Sequence, residues 1–158
     1  MAQTKEQAGE RGTREIVAGT DEIRAAIIDI VSHADRTLAI LTPNLEPEIY
    51  EHVEFLDALK RFVLAKSFAR VRVLITEPER AIRPGNQFVQ MGQRLNSYIE
   101  FRSLASALRP EVRAYCIGDA NAVVYRADHA SGKGMVATQA AGIARLYLNE
   151  FDDLWHAS

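Results

Sequence analysis

The sequence predicts an α/β domain with a mixed, mainly parallel sheet and helices on both faces. Three observations support this fold class. Residues 37–42 and 70–76 are short apolar runs of the kind found in strands buried on both faces. The residues between these runs have helical spacing, which predicts a crossover helix between parallel strands. Farther along, a Gly118-Asp119 turn between two strand-like segments predicts a hairpin. At 158 residues the chain suits one domain.

The first helix is predicted after Thr20, which we assign as its N-cap, with acidic residues in its first turn. Its apolar positions recur with helical period and are Ile23, Ile27, Ile30, Val31 and Ala34. The strand at residues 37–42 follows and ends at Pro43. A long second helix is predicted to begin at Pro47. Its apolar face comprises Ile49, Val53, Leu56, Leu59 and Val63.

The strand at residues 70–76 leads into a polar loop at residues 77–85, held between two prolines. Open α/β sheets place ligands beyond the carboxyl ends of their strands, so this loop is a candidate ligand site. Asn86 is the predicted N-cap of a third helix that reaches about Leu95. Residues 98–103 are a predicted third strand.

The carboxyl-terminal third is predicted to hold a hairpin followed by a long helix. The hairpin strands are residues 112–118 and 122–126, and residues 127–134 read as a flexible loop. The last helix runs from about residue 138 to 155, with Ile143, Tyr147, Phe151 and Leu154 toward the core. Residues 1–15 are polar and are predicted to be a flexible tail, which leaves residues 16–158 as the domain.

Composition limits the classes of function. The net charge of −2 disfavours general nucleic-acid binding, and no apolar run is long enough to cross a membrane. One cysteine, Cys116, cannot form an internal disulfide, which favours the cytoplasm. Because it lies in an apolar strand, we expect a buried thiol with a raised pKa. No cofactor or metal site is predicted, since no Cys/His cluster has ligand spacing.

The order of predicted elements resembles one half of a phospholipase D-like domain over residues 16–158. The local similarities are residues 71–76, the turn at Asp119, and the closing segment at residues 151–155. Enzymes of that family carry His-x-Lys-x-x-x-x-Asp on the equivalent hairpin, and two halves form one site. The resemblance implies that the His attacks or protonates the phosphodiester, the Lys holds the phosphate, and the Asp orients the His.

Counting back from Asp119 places Val112 where the family has its His and Ala114 where it has its Lys. Moving the register by one brings Arg113 and Tyr115 to those places, but an arginine is not a nucleophile at neutral pH. We therefore predict no catalytic residue and interpret Asp119 as a motif remnant. The alternative for Asp119 is a simple turn former.

Arg80, Arg83, Arg113 and Arg126 are the candidate anion-binding residues, because guanidinium groups suit phosphate and carboxylate. The alternative is a set of surface arginines, several of them paired with Glu77, Glu79 or Glu111. His129 lies near the hairpin and is either a base or a surface histidine.

These residues favour a non-catalytic, phospholipase D-like binding or assembly module. Single-half members of the family dimerise, so the resemblance implies a homodimer, with an anionic small molecule or phosphate as candidate ligand. Three alternatives stay open: a residual phosphodiesterase, a nucleic-acid-binding scaffold, and an accessory domain of an acyltransferase. The last rests on a resemblance to degenerate halves found as carboxyl-terminal modules of bacterial acetyltransferase-like proteins.

Overall fold

A seven-stranded mixed sheet organises the protein in a computed structural model that describes residues 13–81, 84–104 and 112–158. The strands are β1 (Thr13–Ala18), β2 (Thr37–Thr42), β3 (Arg70–Ile75), β4 (Ile99–Ser103), β5 (Ala114–Gly118), β6 (Ala122–Arg126) and β7 (Lys133–Thr138). The helices are α1 (Thr20–His33), α2 (Pro47–Tyr50), α3 (Val53–Ala65), α4 (Pro78–Ala81), α5 (Gln87–Arg94) and α6 (Ala141–His156). No helix within the described ranges is long and apolar enough to cross a bilayer.

The strand order is β1-β7-β6-β5-β2-β3-β4. The pairings β2–β3 and β3–β4 are parallel, which the apolar runs and the crossover helix predicted. The other four pairings are antiparallel. The α/β class and the mixed sheet are therefore confirmed, although antiparallel pairings outnumber parallel ones because two strands of the sheet were not predicted.

Each face of the sheet has its own core. On one face, alternate strand residues such as Ile40 and Val73 pack beneath α1, α3 and α5. On the other face, Leu41 and Leu74 pack with α6, which supplies Ala144, Leu148, Phe151 and Trp155. Helices therefore lie on both faces, as predicted.

The two unpredicted strands, β1 and β7, pair with each other at one side of the sheet. β1 begins at Thr13, inside the predicted tail, and Val17 enters the core; residues 1–12 lie outside the described residues. β7 begins at Lys133, inside the predicted flexible loop. Charged residues in β1, and Lys133 with Gly134 in β7, obscured the strand pattern, and pairing with a neighbouring strand outweighed the weak local preference of these segments.

Several predicted helix boundaries differ from the structure. The second helix is interrupted: α2 ends at Tyr50, and α3 begins after His52, whose Nδ1 accepts a hydrogen bond from the Glu54 backbone N–H at 3.3 Å. Val53 is consequently 63% exposed and does not belong to the apolar face. α1 is preceded by Gly19 rather than capped by Thr20. The Asn86 cap is confirmed, since its Oδ1 accepts from the Val89 backbone N–H at 2.9 Å.

Candidate functional site

The positions that correspond to the catalytic motif lie at the sheet edge formed by the carboxyl ends of β2 and β3. β5 runs antiparallel to β2, so the start of β5 lies beside the end of β2. Val112, just before β5, is 50% exposed, and Ala114 is fully buried. Neither side chain offers a nucleophile, a proton or a charge at this edge.

A cation is nevertheless present beside Ala114, on the neighbouring strand. Arg126 pairs directly with Ala114 in the β5–β6 register, so the two side chains share one face of the sheet. The Arg126 guanidinium is 3% exposed and donates two hydrogen bonds, each 2.7 Å long, to the two carboxylate oxygens of Glu46. The hydroxyl of Thr42 donates to Glu46 Oε1 at 3.1 Å. We call Thr42, Glu46, Tyr50, Ala114 and Arg126 the Arg126 pocket.

Electrostatics in the Arg126 pocket follow from burial and from the ion pair. Burial acts to lower the pKa of Arg126, but the hydrogen bonds and charge of Glu46 outweigh it and raise that pKa. Burial also raises the pKa of the Tyr50 phenol well above its ordinary value, and the charge of Glu46 adds to the effect. The Tyr50 hydroxyl is buried and has no hydrogen-bond partner among the described residues. The pocket therefore holds a neutralised cation next to an unsatisfied hydroxyl.

Cys116 lies on the same face of β5, and burial raises the pKa of its thiol to about 12, as the sequence predicted. The thiol is harder to ionise in the folded protein than in the unfolded chain, where its pKa is near 9. The protein therefore keeps its full stability below pH 9 and loses stability as the pH rises toward 12.

Through this thiol, the wild-type protein should lose about 1.4 kcal/mol of its free energy of unfolding between pH 8 and pH 10, and Cys116→Ala should not show that loss. Urea unfolding of both proteins at the two pH values measures it. Equal losses in both proteins would contradict this expectation.

Asp119 does not lie at this edge. Val112 and Asp119 sit at opposite ends of β5, about 20 Å apart at the rise of an extended strand. The Asp119 carboxylate instead accepts backbone N–H groups from Asp35 at 2.7 Å, Arg36 at 2.7 Å and Thr37 at 3.0 Å. In this chain Asp119 therefore cannot orient a group at position 112, because the length of β5 separates the two positions. Asp119 also borders a cavity of about 410 Å³ near the end of α1.

The predicted arginines do not form one cluster. Arg126 pairs with Glu46 on the face covered by α1 and α3, whereas Arg113 pairs with Glu150 of α6 on the opposite face. Arg80 is largely exposed and lies 3.7 Å from Glu77. Arg83 and Glu111 lie outside the described residues. Each of the three described arginines thus has an acidic partner.

His129 reaches the same edge as the Arg126 pocket. Its backbone N–H donates to the Val112 carbonyl at 2.9 Å. Its Nε2 lies 4.0 Å from a carboxylate oxygen of Glu77, which lies two residues after the end of β3. An imidazole beside a carboxylate is the arrangement of a general base, so this pair is the only acid–base candidate that we find among the described residues of the edge. No group of three or more His, Cys, Asp or Glu residues in the described ranges could hold a metal ion.

Sequence reasoning did not identify Glu46 or Tyr50. Glu46 meets Arg126 across 80 positions of the chain, and no local pattern reports a pair so far apart. The one available signal was an acidic residue after the carboxyl end of a strand, in the place where α/β sheets bind ligands.

Comparison with known proteins identifies a family and supports the fold. A family model described as "Domain of unknown function (DUF7931)" matches residues 19–158. No curated protein matches the chain. The structure resembles Nuc of Salmonella typhimurium, a phospholipase D family member, at 16% identity and a TM-score of 0.61. That match covers 92% of this chain and 96% of Nuc.

Two larger proteins share the fold. TrmBL2, an archaeal chromatin protein with a novel mode of DNA binding, has 12% identity and a TM-score of 0.63 over 90% of this chain. Phosphatidylserine synthase of Haemophilus influenzae has 16% identity and a TM-score of 0.63 over 89% of this chain. This chain spans 52% of TrmBL2 and 36% of the synthase. At such identities the likeness shows the fold alone.

Proposed function

Because this chain belongs to the DUF7931 family and has the phospholipase D-like fold, we propose that it is a non-hydrolytic module that binds or assembles. One observation carries the proposal: Val112 and Ala114 stand at the motif's His and Lys positions, and Arg126, the buried cation found at this edge among the described residues, is paired with Glu46. Phosphodiester cleavage needs a nucleophile and a charge that stabilises the developing oxyanion. An arginine already engaged by a carboxylate is poorly suited to the second task.

Assembly as a homodimer is the second part of the proposal. Val112 leaves an apolar side chain half exposed at this edge, where single-half members of the phospholipase D family are expected to meet. An apolar residue at the centre of a contact gains free energy when it is removed from water. The dimer would therefore bring two copies of this edge together without creating a catalytic centre.

A residual hydrolase is the second candidate, and the His129–Glu77 pair is the observation that favours it. In this alternative the His129 imidazole would act from the segment that pairs with Val112, rather than from position 112 itself. Arg80, three residues after Glu77, is itself paired with Glu77 and is therefore not free to hold a phosphate beside His129.

Hydrolysis of bis(p-nitrophenyl) phosphate separates the two candidates. We expect the purified wild-type chain to release p-nitrophenol no faster than buffer does. Turnover that disappears in His129→Ala would replace the proposal with the second candidate.

Sedimentation of the same preparation tests assembly: we expect the wild-type chain to be a dimer and Val112→Asp to be a monomer. Leu64→Asp is the matched control, because Leu64 is 57% exposed and lies near the end of α3. A wild-type monomer at tens of micromolar would contradict the assembly part.

A further inference from the structure

The Arg126 pocket already contains an oxyanion, which is the protein's own Glu46 carboxylate. Two parallel hydrogen bonds from one guanidinium to two carboxylate oxygens are the geometry by which arginine recognises carboxylate and phosphate ligands. The Thr42 hydroxyl adds a third donor to the same carboxylate. In the chemistry of its contacts, Glu46 occupies this pocket as a ligand would.

We propose that the Arg126 pocket is an oxyanion-binding site closed by Glu46, and that a carboxylate or phosphate group from outside the chain binds there by displacing it. The inference rests on the proposed function, because an oxyanion bound at this edge without cleavage is what a non-hydrolytic module requires. It names the chemical class of the ligand, which the proposed function leaves open.

The hydrogen-bond donors of the Arg126 pocket suit an anion. Arg126 and Thr42 are buried almost completely, so their donors are fixed in position before any ligand arrives. Tyr50 is fully buried in α2, four residues after Glu46, and its hydroxyl has no hydrogen-bond partner among the described residues. A buried hydroxyl left unpaired is costly. A phosphate group offers more acceptor oxygens than a carboxylate and could satisfy this donor as well.

Glu46 is the more exposed member of the pair. It lies in the short connection between β2 and α2, and its side chain is 14% exposed against 4% for Arg126, so an external anion meets Glu46 first and displaces it only by taking over its bonds to Arg126 and Thr42. The preceding residue, Leu45, is fully buried with φ of 61°, a left-handed conformation that is unfavourable for leucine. Leu45 anchors the connection while the exposed side of Glu46 faces water.

Glu46 competes with any external anion from within the same molecule. A tethered group behaves as though present at millimolar concentration or higher, so the wild-type chain should show a weakened apparent affinity for free anions. Removing the carboxylate should raise that affinity by roughly 100-fold, because the cation then has no internal partner.

Thermal unfolding of Glu46→Ala in sodium acetate, sodium phosphate and sodium chloride of equal ionic strength tests the inference. We expect the Tm of Glu46→Ala to be roughly 5 °C higher in 100 mM acetate or phosphate than in chloride. The matched control is Glu46→Ala/Arg126→Met, in which the anion has no cation to bind and the Tm should not depend on the anion. Comparison with this control removes the general stabilisation that phosphate exerts on proteins.

Each outcome decides something. A larger shift in acetate indicates a carboxylate ligand, and a larger shift in phosphate indicates a phosphate-bearing one. Equal shifts in Glu46→Ala and in the double variant overturn the inference. If Glu46→Ala does not fold in chloride, Glu46→Gln is measured in its place, and failure of acetate and phosphate to raise its Tm above chloride overturns the inference equally. Hydrolysis of bis(p-nitrophenyl) phosphate would instead overturn the proposed function and leave anion binding to be judged on these shifts.

Discussion

Arg126→Met should lower the free energy of unfolding by roughly 3–5 kcal/mol, more than most single substitutions in this chain. The substitution removes the guanidinium that holds Glu46, and it leaves a largely buried carboxylate whose remaining bond comes from the Thr42 hydroxyl. A buried charge without its partner bears its desolvation cost uncompensated. Urea unfolding monitored through the single tryptophan, Trp155, measures the change.

The double variant Glu46→Leu/Arg126→Met is the matched control. Replacing both members of a buried ion pair with apolar residues removes the two charges together, so most of the lost stability should return. The difference between the double variant and the sum of the single variants gives the coupling energy of the pair. A loss below about 1 kcal/mol in Arg126→Met would mean that Glu46 reaches water easily, and the buried pair would then not be a main source of stability.

Local sequence patterns predicted the centre of the sheet well. The runs that became β2 and β3 are each apolar at four of six positions, and their central residues are buried on both faces. The hairpin of β5 and β6 was also predicted, from the Gly118-Asp119 turn. In the structure Asp119 and Ala120 both have φ of 55°, as a tight turn requires. In these elements the local preference and the tertiary environment favour the same conformation.

Patterns failed where a strand depends on its neighbour. β1 and β7 alternate between core and solvent only weakly, and Ile16 in β1 is 75% exposed. Gly134 of β7 lies under Arg126 and Val17, where a Cβ would approach within 3.3 Å of both side chains, so its glycine serves close packing. Composition alone makes such a segment resemble a loop.

The sequence predicted where the candidate site lies but not which residues form it. Counting from Asp119 led to Ala114, which begins β5, and to Val112, which lies just before it at the same edge of the sheet. The position of Arg126 on β6 beside Ala114 on β5 is a property of strand register, and the pairing of Arg126 with Glu46 is a property of the tertiary fold. Neither follows from spacing along one strand.

Asp119→Ala should lower the free energy of unfolding by about 3 kcal/mol. The substitution removes the acceptor for three consecutive backbone N–H groups, at residues 35–37, that connect α1 to β2. It also places an alanine at φ of 55°, which is unfavourable for a residue with a Cβ. Both effects act at the point where the hairpin turn holds the start of β2, so we expect earlier hydrogen exchange of the Arg36 and Thr37 amides as well as a lower Tm.

Two further substitutions separate these effects. Asp119→Gly tolerates the positive φ but still lacks the acceptor, so it should recover only the smaller conformational part of the loss. Asp119→Asn also tolerates the turn and keeps one oxygen, which can accept from Arg36 and Thr37 while the bond from Asp35 is lost, and we expect a loss of about 1 kcal/mol. Equal stability of Asp119→Gly and the wild type would show that the three hydrogen bonds contribute little. The turn conformation alone would then explain why an aspartate stands at this end of β5.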